Sequence, residues 1–214
     1  MPIRAVIFDL DGTLLDTLDD LADAANAVLA ALGYPVHPVE RYKEFVGDGV
    51  AMLVKRALPP EAAGDAQKAL DLMHIEYKTR LHGKTRPYPG IPALLDALCA
   101  RNIAMAVLSN KPDPFARATV EDFFGRWPWA AVIGESKLYP RKPDPAGAKA
   151  IAEKLGAPPA EFLFVGDSPM DMACALGAGM TPVGVTWGFR ARPMLEAAGG
   201  RIFIDAPGNL LRFV

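Results

Sequence analysis

Short, mostly apolar runs recur along most of the chain, and longer segments with helical spacing of apolar positions separate them. Such runs are typical of strands that are buried on both faces of a parallel sheet. The predicted strands are residues 5–8, 103–108, 130–133, 162–165, 182–185 and 201–204. Helices are predicted between them at 91–100, 112–124, 145–155 and 169–176. This alternation predicts an α/β fold with a doubly wound parallel sheet.

Residues 16–85 interrupt that alternation, because they contain no strand-like run. Thr17, with Asp20 three positions later, predicts a capping box and a helix that ends at residue 32. Further helices are predicted at 38–46, 50–58 and 61–81, and residues 82–90 are predicted to be the return linker. We therefore expect a Rossmann-like core of residues 1–15 and 86–214 and an inserted all-helical domain of residues 16–85. We expect the insert to cover the strand ends as a lid.

Two carboxylates, Asp9 and Asp11, follow the first predicted strand. In an extended segment, side chains at i and i+2 project to the same side, so both acids converge on one point. Two like charges this close require a cation, a shared proton or both. Asp-x-Asp-Gly by itself is also compatible with a polar turn.

Other strands of the predicted sheet end in polar residues as well. Ser109 and Asn110 follow one strand, Asp167 follows another, and Lys142 precedes a helix. Parallel strands bring their carboxyl ends to one edge, so these groups are expected to converge there. Several carboxylates without a His or Cys cluster favour Mg²⁺ over Zn²⁺. The lysine and the hydroxyl supply the donors that a phosphoryl group needs.

Composition excludes several classes of function. The 214 residues are 51% hydrophobic and 22% charged, with a formal net charge of -2, and Lys and Arg are scattered rather than clustered as for nucleic-acid binding. No apolar run approaches the ~20 residues of a membrane span, and no signal-peptide pattern begins the chain. Cys99 and Cys174 lie in apolar helical surroundings and are interpreted as reduced core residues of a cytoplasmic protein.

Four motifs follow one another along the chain: Asp9-Leu10-Asp11-Gly12-Thr13, Ser109-Asn110, Lys142-Pro143 and Gly166-Asp167-Ser168 with Asp171. In this order they resemble the motifs of the haloacid dehalogenase-like (HAD) superfamily in its phosphatase branch. The position of the helical insert is similar to the family's helical cap, and the most similar subgroup is phosphoglycolate phosphatase-like.

The resemblance implies a role for each matching residue. Asp9 is the expected nucleophile that becomes an aspartyl-phosphate. Asp11 is expected to protonate the leaving oxygen and then to activate water. Mg²⁺ is the expected cofactor, held by Asp9, the backbone carbonyl of Asp11 and Asp167. The phosphoryl oxygens are expected to contact Thr13, Ser109, Asn110 and Lys142, with Gly12 and Asp171 in support.

Lys-Pro-Asp-Pro occurs twice, at Lys111 and Lys142. Lys142 lies a helix and a strand ahead of Asp167, as the family's lysine does, so Lys111 is predicted to lie at the rim. In the insert, Gly47-Asp48-Gly49 can let the backbone approach an anionic part of the substrate, with Arg56 as an additional cation.

The function expected from these observations is Mg²⁺-dependent hydrolysis of a small phosphomonoester, with 2-phosphoglycolate the favoured substrate. A phosphotransferase such as a sugar-phosphate mutase is the alternative, since both routes share the aspartyl-phosphate. Asp11 argues against a dehalogenase, and Lys142, Asp167 and the insert argue against a receiver-like binding protein. The expected partner is a small molecule, with neither nucleic acid nor membrane.

Overall fold

The predicted first strand is present as β1 in a computed structural model that describes residues 2–80 and 83–214. The strands in chain order are β1 (Ala5–Phe8), β2 (Leu15–Asp16), β3 (Arg86–Pro87), β4 (Ala104–Pro112), β5 (Trp129–Glu135), β6 (Phe162–Gly166), β7 (Thr181–Val185) and β8 (Ile202–Ile204). The six-stranded sheet has the order β5-β4-β1-β6-β7-β8, and all its strand pairs are parallel. The other two strands, β2 and β3, form a separate two-stranded sheet.

Helices connect the strands of the six-stranded sheet, and all of these connecting helices except α9 were predicted. In chain order the helices are α1 (Leu18–Ala31), α2 (Tyr42–Phe45), α3 (Val50–Ala57), α4 (Ala66–Arg80), α5 (Ile91–Ala100), α6 (Asp113–Phe124), α7 (Ala146–Leu155), α8 (Pro169–Ala178) and α9 (Arg192–Ala197). No helix in the described parts of the chain is long and apolar enough to span a membrane.

Both faces of the sheet are covered by apolar side chains. Along β1, Val6 and Phe8 belong to one buried cluster, which also contains residues of α5 and α6. Ala5 and Ile7 belong to a second cluster, which contains residues of α7 and α8. Successive side chains of a strand point to opposite faces, so a strand covered on both faces must be apolar throughout. The doubly wound α/β prediction is confirmed.

The chain forms two compact units. One contains the residues up to Leu15 together with Pro87–Val214, and the other is Asp16–Arg86. In its described residues, 16–80 and 83–86, the second unit contains α1 to α4 and no strand beyond residues of β2 and β3. Two of its predicted helices are interrupted. Residues 38–46 form a 3₁₀ turn, Val39–Arg41, followed by α2, and a second 3₁₀ turn, Pro60–Asp65, precedes α4. Residues 81 and 82, predicted to end that helix and begin the linker, lie outside the described residues.

The predicted capping box at Thr17 is wrong. Thr17 is the N-cap residue of α1, but its side chain makes no capping hydrogen bond. The Asp20 carboxylate instead accepts hydrogen bonds from the Lys84 N–H (2.9 Å), the Thr85 N–H (2.8 Å) and the Thr85 hydroxyl (2.7 Å). Asp20 is buried, and its hydrogen bonds come from the return segment. The sequence predicted that they would come from the N-terminus of α1.

The remaining differences are a longer strand and one additional helix. Strand β4 continues four residues past the predicted end at 108, through Ser109, Asn110 and Lys111, because its end pairs with β5 at Pro112 and Glu135. Helix α9 was not predicted, because Leu195 is its one buried residue and no apolar periodicity marks it.

Candidate active site

Asp9 directly follows β1, and its carboxylate is buried at the carboxyl edge of the sheet. The Leu10 N–H donates to Asp9 Oδ1 over 2.7 Å, and Lys142 Nζ lies 2.7 Å from the same oxygen. Burial raises the pKa of Asp9 to about 7. Lys142 acts in the opposite direction, whereas the charges of Asp171 and Asp11 raise the pKa further.

Lys142 is buried and contacts three oxygens with its three N–H donors. Its ammonium lies 2.7 Å from Asp9 Oδ1 and 2.7 Å from Asp171 Oδ1, and it donates to the Leu108 carbonyl over 3.0 Å. Burial disfavours the charged form, yet Asp171 and Asp9 together raise the pKa of Lys142 above its ordinary value. The lysine is therefore a permanent cation between two acids.

Asp171 lies at the start of α8, where it forms a complete capping box with Ser168. Its Oδ2 accepts hydrogen bonds from the Ser168 N–H (2.9 Å) and hydroxyl (2.6 Å). A side chain at Gly166 would collide with Asp171, so this glycine leaves room for the carboxylate. Both oxygens of Asp171 are thus used, one by the helix terminus and one by Lys142.

Asp11 forms an ion pair with a second lysine, Lys111. Lys111 Nζ lies 3.0 Å from Asp11 Oδ2, and the Lys111 side chain is only 4% exposed. The other carboxylate oxygen, Oδ1, is buried without a hydrogen-bond partner among the described residues, and so is the Thr13 hydroxyl. The prediction that Lys111 lies at the rim is wrong, because β4 continues through this residue and brings its side chain to Asp11.

Asn110 holds the backbone of Lys142. Its Oδ1 accepts from the Lys142 N–H over 2.7 Å, and its Nδ2 donates to the Lys142 carbonyl over 3.2 Å. This pair of bonds differs from the predicted contact between the Asn110 side chain and a phosphoryl group. Ser109 is buried beside it, and its Oγ accepts from the Lys111 N–H over 3.2 Å.

Asp167 follows β6 and is buried, and no Lys, Arg or His in residues 2–80 and 83–214 forms an ion pair with it. Burial, followed by the charges of Asp171 and Asp9, raises its pKa well above the ordinary value. The Phe189 N–H donates to Asp167 Oδ2 over 2.7 Å and stabilises the charged form in part.

The segment after β7 supports this region, and its residues were not predicted. The Trp187 indole N–H donates to the Thr13 carbonyl over 3.1 Å. A side chain at Gly188 would collide with both Asp167 and the Gly12 carbonyl, while Gly12 itself has φ +84° and faces Asp167. The sequence signal for the close approach at Gly188 was a glycine between two aromatic residues shortly after a predicted strand.

The charges at this edge do not balance. One carboxylate oxygen from each of Asp9, Asp167 and Asp171 lies within 4.8 Å of the other two. In all, four carboxylates and two lysines leave a formal excess of two negative charges. The acids are Asp9, Asp11, Asp167 and Asp171, and the lysines are Lys111 and Lys142. Hard oxygen donors with this excess fit a divalent cation such as Mg²⁺.

The site residues predicted in the second unit form a local cluster. Gly47 and Gly49 have φ of 108° and 82°, conformations that favour glycine, and Gly49 precedes α3. The Arg56 guanidinium forms an ion pair with Asp48 and donates to the Phe45 carbonyl over 3.0 Å. The negative charge of Asp48 is therefore compensated within the unit.

Comparison with known sequences gives one consistent result. The family model described as haloacid dehalogenase-like hydrolase matches residues 3–179. A phosphoglycolate phosphatase of Rhodospirillum rubrum is 38% identical over 210 residues, which are 94% of this chain and 87% of that protein. A phosphoglycolate phosphatase of Pseudomonas fluorescens is 36% identical over 212 residues, covering 94% of this chain and 76% of the relative.

Solved structures show the same similarity. A candidate phosphoglycolate phosphatase from Lactobacillus delbrueckii subsp. bulgaricus superposes with a TM-score of 0.92 at 31% identity, covering 98% of this chain and 97% of that one. A predicted phosphoglycolate phosphatase from Haemophilus somnus gives 0.89 at 27% identity, covering 98% and 97%. The similarity therefore extends over both compact units.

Proposed function

Because the chain belongs to the haloacid dehalogenase-like hydrolase family, we propose that it is a Mg²⁺-dependent phosphatase that hydrolyses a small phosphomonoester. The observation that carries the proposal is the pair Asp9 and Asp11, each with its own buried lysine, beside Asp167 at one edge of the sheet. Relatives named phosphoglycolate phosphatase, at 36–38% identity, make 2-phosphoglycolate the substrate that we favour.

In the proposed first step, a carboxylate oxygen of Asp9 attacks phosphorus. A bond forms between that oxygen and phosphorus, the ester P–O bond breaks, and the leaving oxygen takes a proton from Asp11. In the second step, Asp11 accepts a proton from water, whose oxygen attacks phosphorus, and the Asp9–phosphorus linkage breaks to release inorganic phosphate. Oδ1 of Asp11, which has no partner among the described residues, supports its assignment as the acid and base.

The phosphoryl oxygens require hydrogen-bond donors and a positive charge beside Asp9. We assign this task to the hydroxyls of Ser109 and Thr13 and to Lys142. The Thr13 hydroxyl is buried and has no partner in the described part of the chain, which supports its inclusion. Asn110 contributes by holding the backbone of Lys142 in position.

Mg²⁺ would be held by Asp9, the Asp11 backbone carbonyl and Asp167. When bound, it would neutralise charge on the transferring phosphoryl group. Asp167 is the acid in this set without an ion pair among the described residues, so a cation would relieve its buried charge. Asp171 is a positioning residue, because Lys142 and the terminus of α8 use its two oxygens.

Residues 16–85 remain our proposed cap, the part that selects the non-phosphoryl end of the substrate and closes over it. The loop Gly47-Asp48-Gly49 would offer backbone N–H groups, and Arg56 would hold that loop through Asp48. Gly49→Val should lower kcat/KM for 2-phosphoglycolate far more than for p-nitrophenyl phosphate. Gly64→Val, in the same unit and with open space around it, is the matched control. Equal losses on both substrates would show that the loop does not select.

The deciding experiment is phosphate release from a panel of phosphomonoesters with and without Mg²⁺. Asp9→Asn keeps the shape of the side chain and removes the nucleophile, so it should abolish turnover, whereas the exposed Asp122→Asn should not. Mass spectrometry must exclude deamidation of the introduced asparagine back to aspartate. Full activity in EDTA or substantial activity of Asp9→Asn would refute the proposal. Hexose-phosphate isomerisation without phosphate release would instead indicate a mutase.

A cytoplasmic location is part of the proposal. Both cysteines, Cys99 and Cys174, are free, as is typical of a reducing compartment.

A further inference from the structure

Each of the two lysines of the site contacts one acid of the Asp9–Asp11 pair. Lys142 contacts Asp9 at 2.7 Å, and Lys111 contacts Asp11 at 3.0 Å. If Asp9 receives the phosphoryl group and Asp11 serves the leaving oxygen, Lys142 lies at the phosphoryl end of the reaction. Lys111 then lies at the opposite end, beside the part of the substrate that departs.

We propose that Lys111 is a specificity-determining residue that binds a carboxylate on the leaving group of the substrate. The inference rests on the proposed phosphatase function and adds to it the chemical class of the leaving group. The selected substrate is a phosphomonoester whose ester carbon carries a carboxylate, as in 2-phosphoglycolate.

The Asp11 carboxyl group can contact both the leaving oxygen and Lys111. A leaving oxygen that takes a proton from Asp11 must approach its carboxyl group to about 2.6–3.2 Å. Lys111 Nζ is already 3.0 Å from the other oxygen of that group. In 2-phosphoglycolate, one methylene separates the leaving oxygen from the carboxylate. An ammonium at this position can therefore reach the carboxylate without leaving Asp11, since lysine has three N–H donors.

The charges of the site also favour Lys111 as the group that binds the carboxylate. A carboxylate in a site with an excess of acids needs a cation to offset the repulsion. Lys142 is occupied by Asp9, Asp171 and the Leu108 carbonyl. In the second unit, Arg56 is paired with Asp48, so the Gly47–Gly49 loop offers N–H groups rather than net positive charge. Lys111 is the cation of the core unit that lies beside the acid of the leaving group.

The backbone around Lys111 fixes where its side chain starts. Lys111 belongs to β4, and its N–H donates to Ser109 Oγ over 3.2 Å. Gly134 of β5 allows the strands to pass closely, because a side chain there would approach the Lys111 carbonyl to 2.6 Å. The side chain is 4% exposed, which limits its freedom and prepares the ammonium for binding.

The test compares 2-phosphoglycolate with ethyl phosphate, which has a methyl group in place of the carboxylate. Lys111→Met keeps the length of the side chain and removes its charge. We expect kcat/KM for 2-phosphoglycolate to fall about 10- to 100-fold, mainly through KM, as for the loss of a charged hydrogen bond. Ethyl phosphate should lose clearly less, because the variant affects it only through the ion pair of Lys111 with Asp11. Lys111→Arg should recover part of the loss, and Lys149→Met on the exposed face of α7 is the matched control.

Each outcome separates this inference from the proposed function. A parallel fall in kcat for both substrates would overturn it and make Lys111 a positioning residue for Asp11. Unchanged kinetics of Lys111→Met on 2-phosphoglycolate would also overturn it, as would a wild-type enzyme that does not prefer 2-phosphoglycolate to ethyl phosphate. In those cases phosphate release by the wild type leaves the phosphatase assignment intact. No phosphate release from either ester by the wild type would refute the proposed function itself.

Discussion

The starts of α1 and α8 share a sequence pattern but differ in structure. Each has a hydroxyl residue followed three positions later by a buried aspartate, Thr17 with Asp20 and Ser168 with Asp171. At α8 the two side chains form a complete capping box. At α1 the hydroxyl makes no capping bond, and Asp20 binds Lys84 and Thr85, more than sixty residues away in the chain.

The difference shows that the N–H groups of a helix start compete with other donors for the carboxylate of a capping motif. A carboxylate buried near a helix start accepts whichever N–H groups the fold brings to it. For Asp20, the return segment supplies them. For Asp171, Ser168 supplies them on one oxygen and Lys142 on the other, so a local motif becomes part of the site.

Among substitutions at the two helix starts, Asp171→Asn should have the largest effect. It removes the negative charge that pairs with Lys142. It also places an amide N–H₂ group against another donor, which is either Lys142 or the Ser168 hydroxyl. With Mg²⁺ saturating, we expect kcat/KM for 2-phosphoglycolate to fall about 10- to 100-fold, as for other groups that orient a metal site. Steady-state kinetics measures this, and circular dichroism checks the fold. Wild-type kinetics in this variant would show that Asp171 only caps α8.

Mg²⁺ should stabilise the protein more at pH 8 than at pH 6. Burial raises the pKa of Asp9 to about 7 and that of Asp167 well above its ordinary value, so protons occupy these acids in the metal-free fold at low pH. Stability without metal therefore falls as pH rises from the unfolded value near 4 through 7. Mg²⁺ must displace those protons, so its affinity rises over the same range.

Thermal unfolding of EDTA-treated protein with added Mg²⁺ measures this effect, which is about 2.7 kcal/mol at a hundred times the dissociation constant. The pH dependence should weaken in Asp171→Asn, because the charge of Asp171 contributes to both raised pKa values. It should persist in Asp20→Asn. An Mg²⁺ response that is equal at both pH values would contradict the assignment of these acids as ligands.

Asp20→Asn should destabilise the second unit by about 1–2 kcal/mol, because an amide accepts fewer of the hydrogen bonds from Lys84 and Thr85. Hydrogen exchange is the direct measurement, since protection of the Lys84 and Thr85 amides should fall. The exposed Asp19→Asn on the same helix is the control. Equal protection in the variant and the wild type would mean that these contacts add nothing to stability.

The smallest effects come from removing the two hydroxyls. Ser168→Ala should cost about 1 kcal/mol, the usual value of an N-cap. Thr17→Val should be close to neutral, because the buried Thr17 hydroxyl has no partner among the described residues. Urea unfolding of both variants measures the difference. A larger loss for Thr17→Val than for Ser168→Ala would reverse the comparison.

Most of the sheet and its edge could be predicted because the signals are local. Val6 and Phe8 face one apolar cluster while Ala5 and Ile7 face the other, and a strand buried on both faces has to be apolar throughout. Asp9 and Asp167 directly follow such strands, Ser109 follows the apolar part of a third, and parallel pairing brings these residues to one edge. Periodicity and strand direction are enough for that inference.

Contacts between distant segments could not be predicted in this way. Lys111 and Lys142 have the same neighbours in sequence, Pro-Asp-Pro, and only the folded chain decides which acid each one meets. The Trp187 bond to the Thr13 carbonyl depends on where the segment after β7 lies.

The sequence by itself determined the doubly wound sheet, the helices found between residues 18 and 80 and the edge at which the acids meet, because apolar period and strand polarity are properties of short segments. Tertiary structure alone decided that Asp20 binds the return segment, that Asn110 holds Lys142 and that Lys111 is buried against Asp11. A buried polar group must be satisfied by whichever donor or acceptor the packed chain places beside it, and nothing in its neighbouring residues specifies that partner.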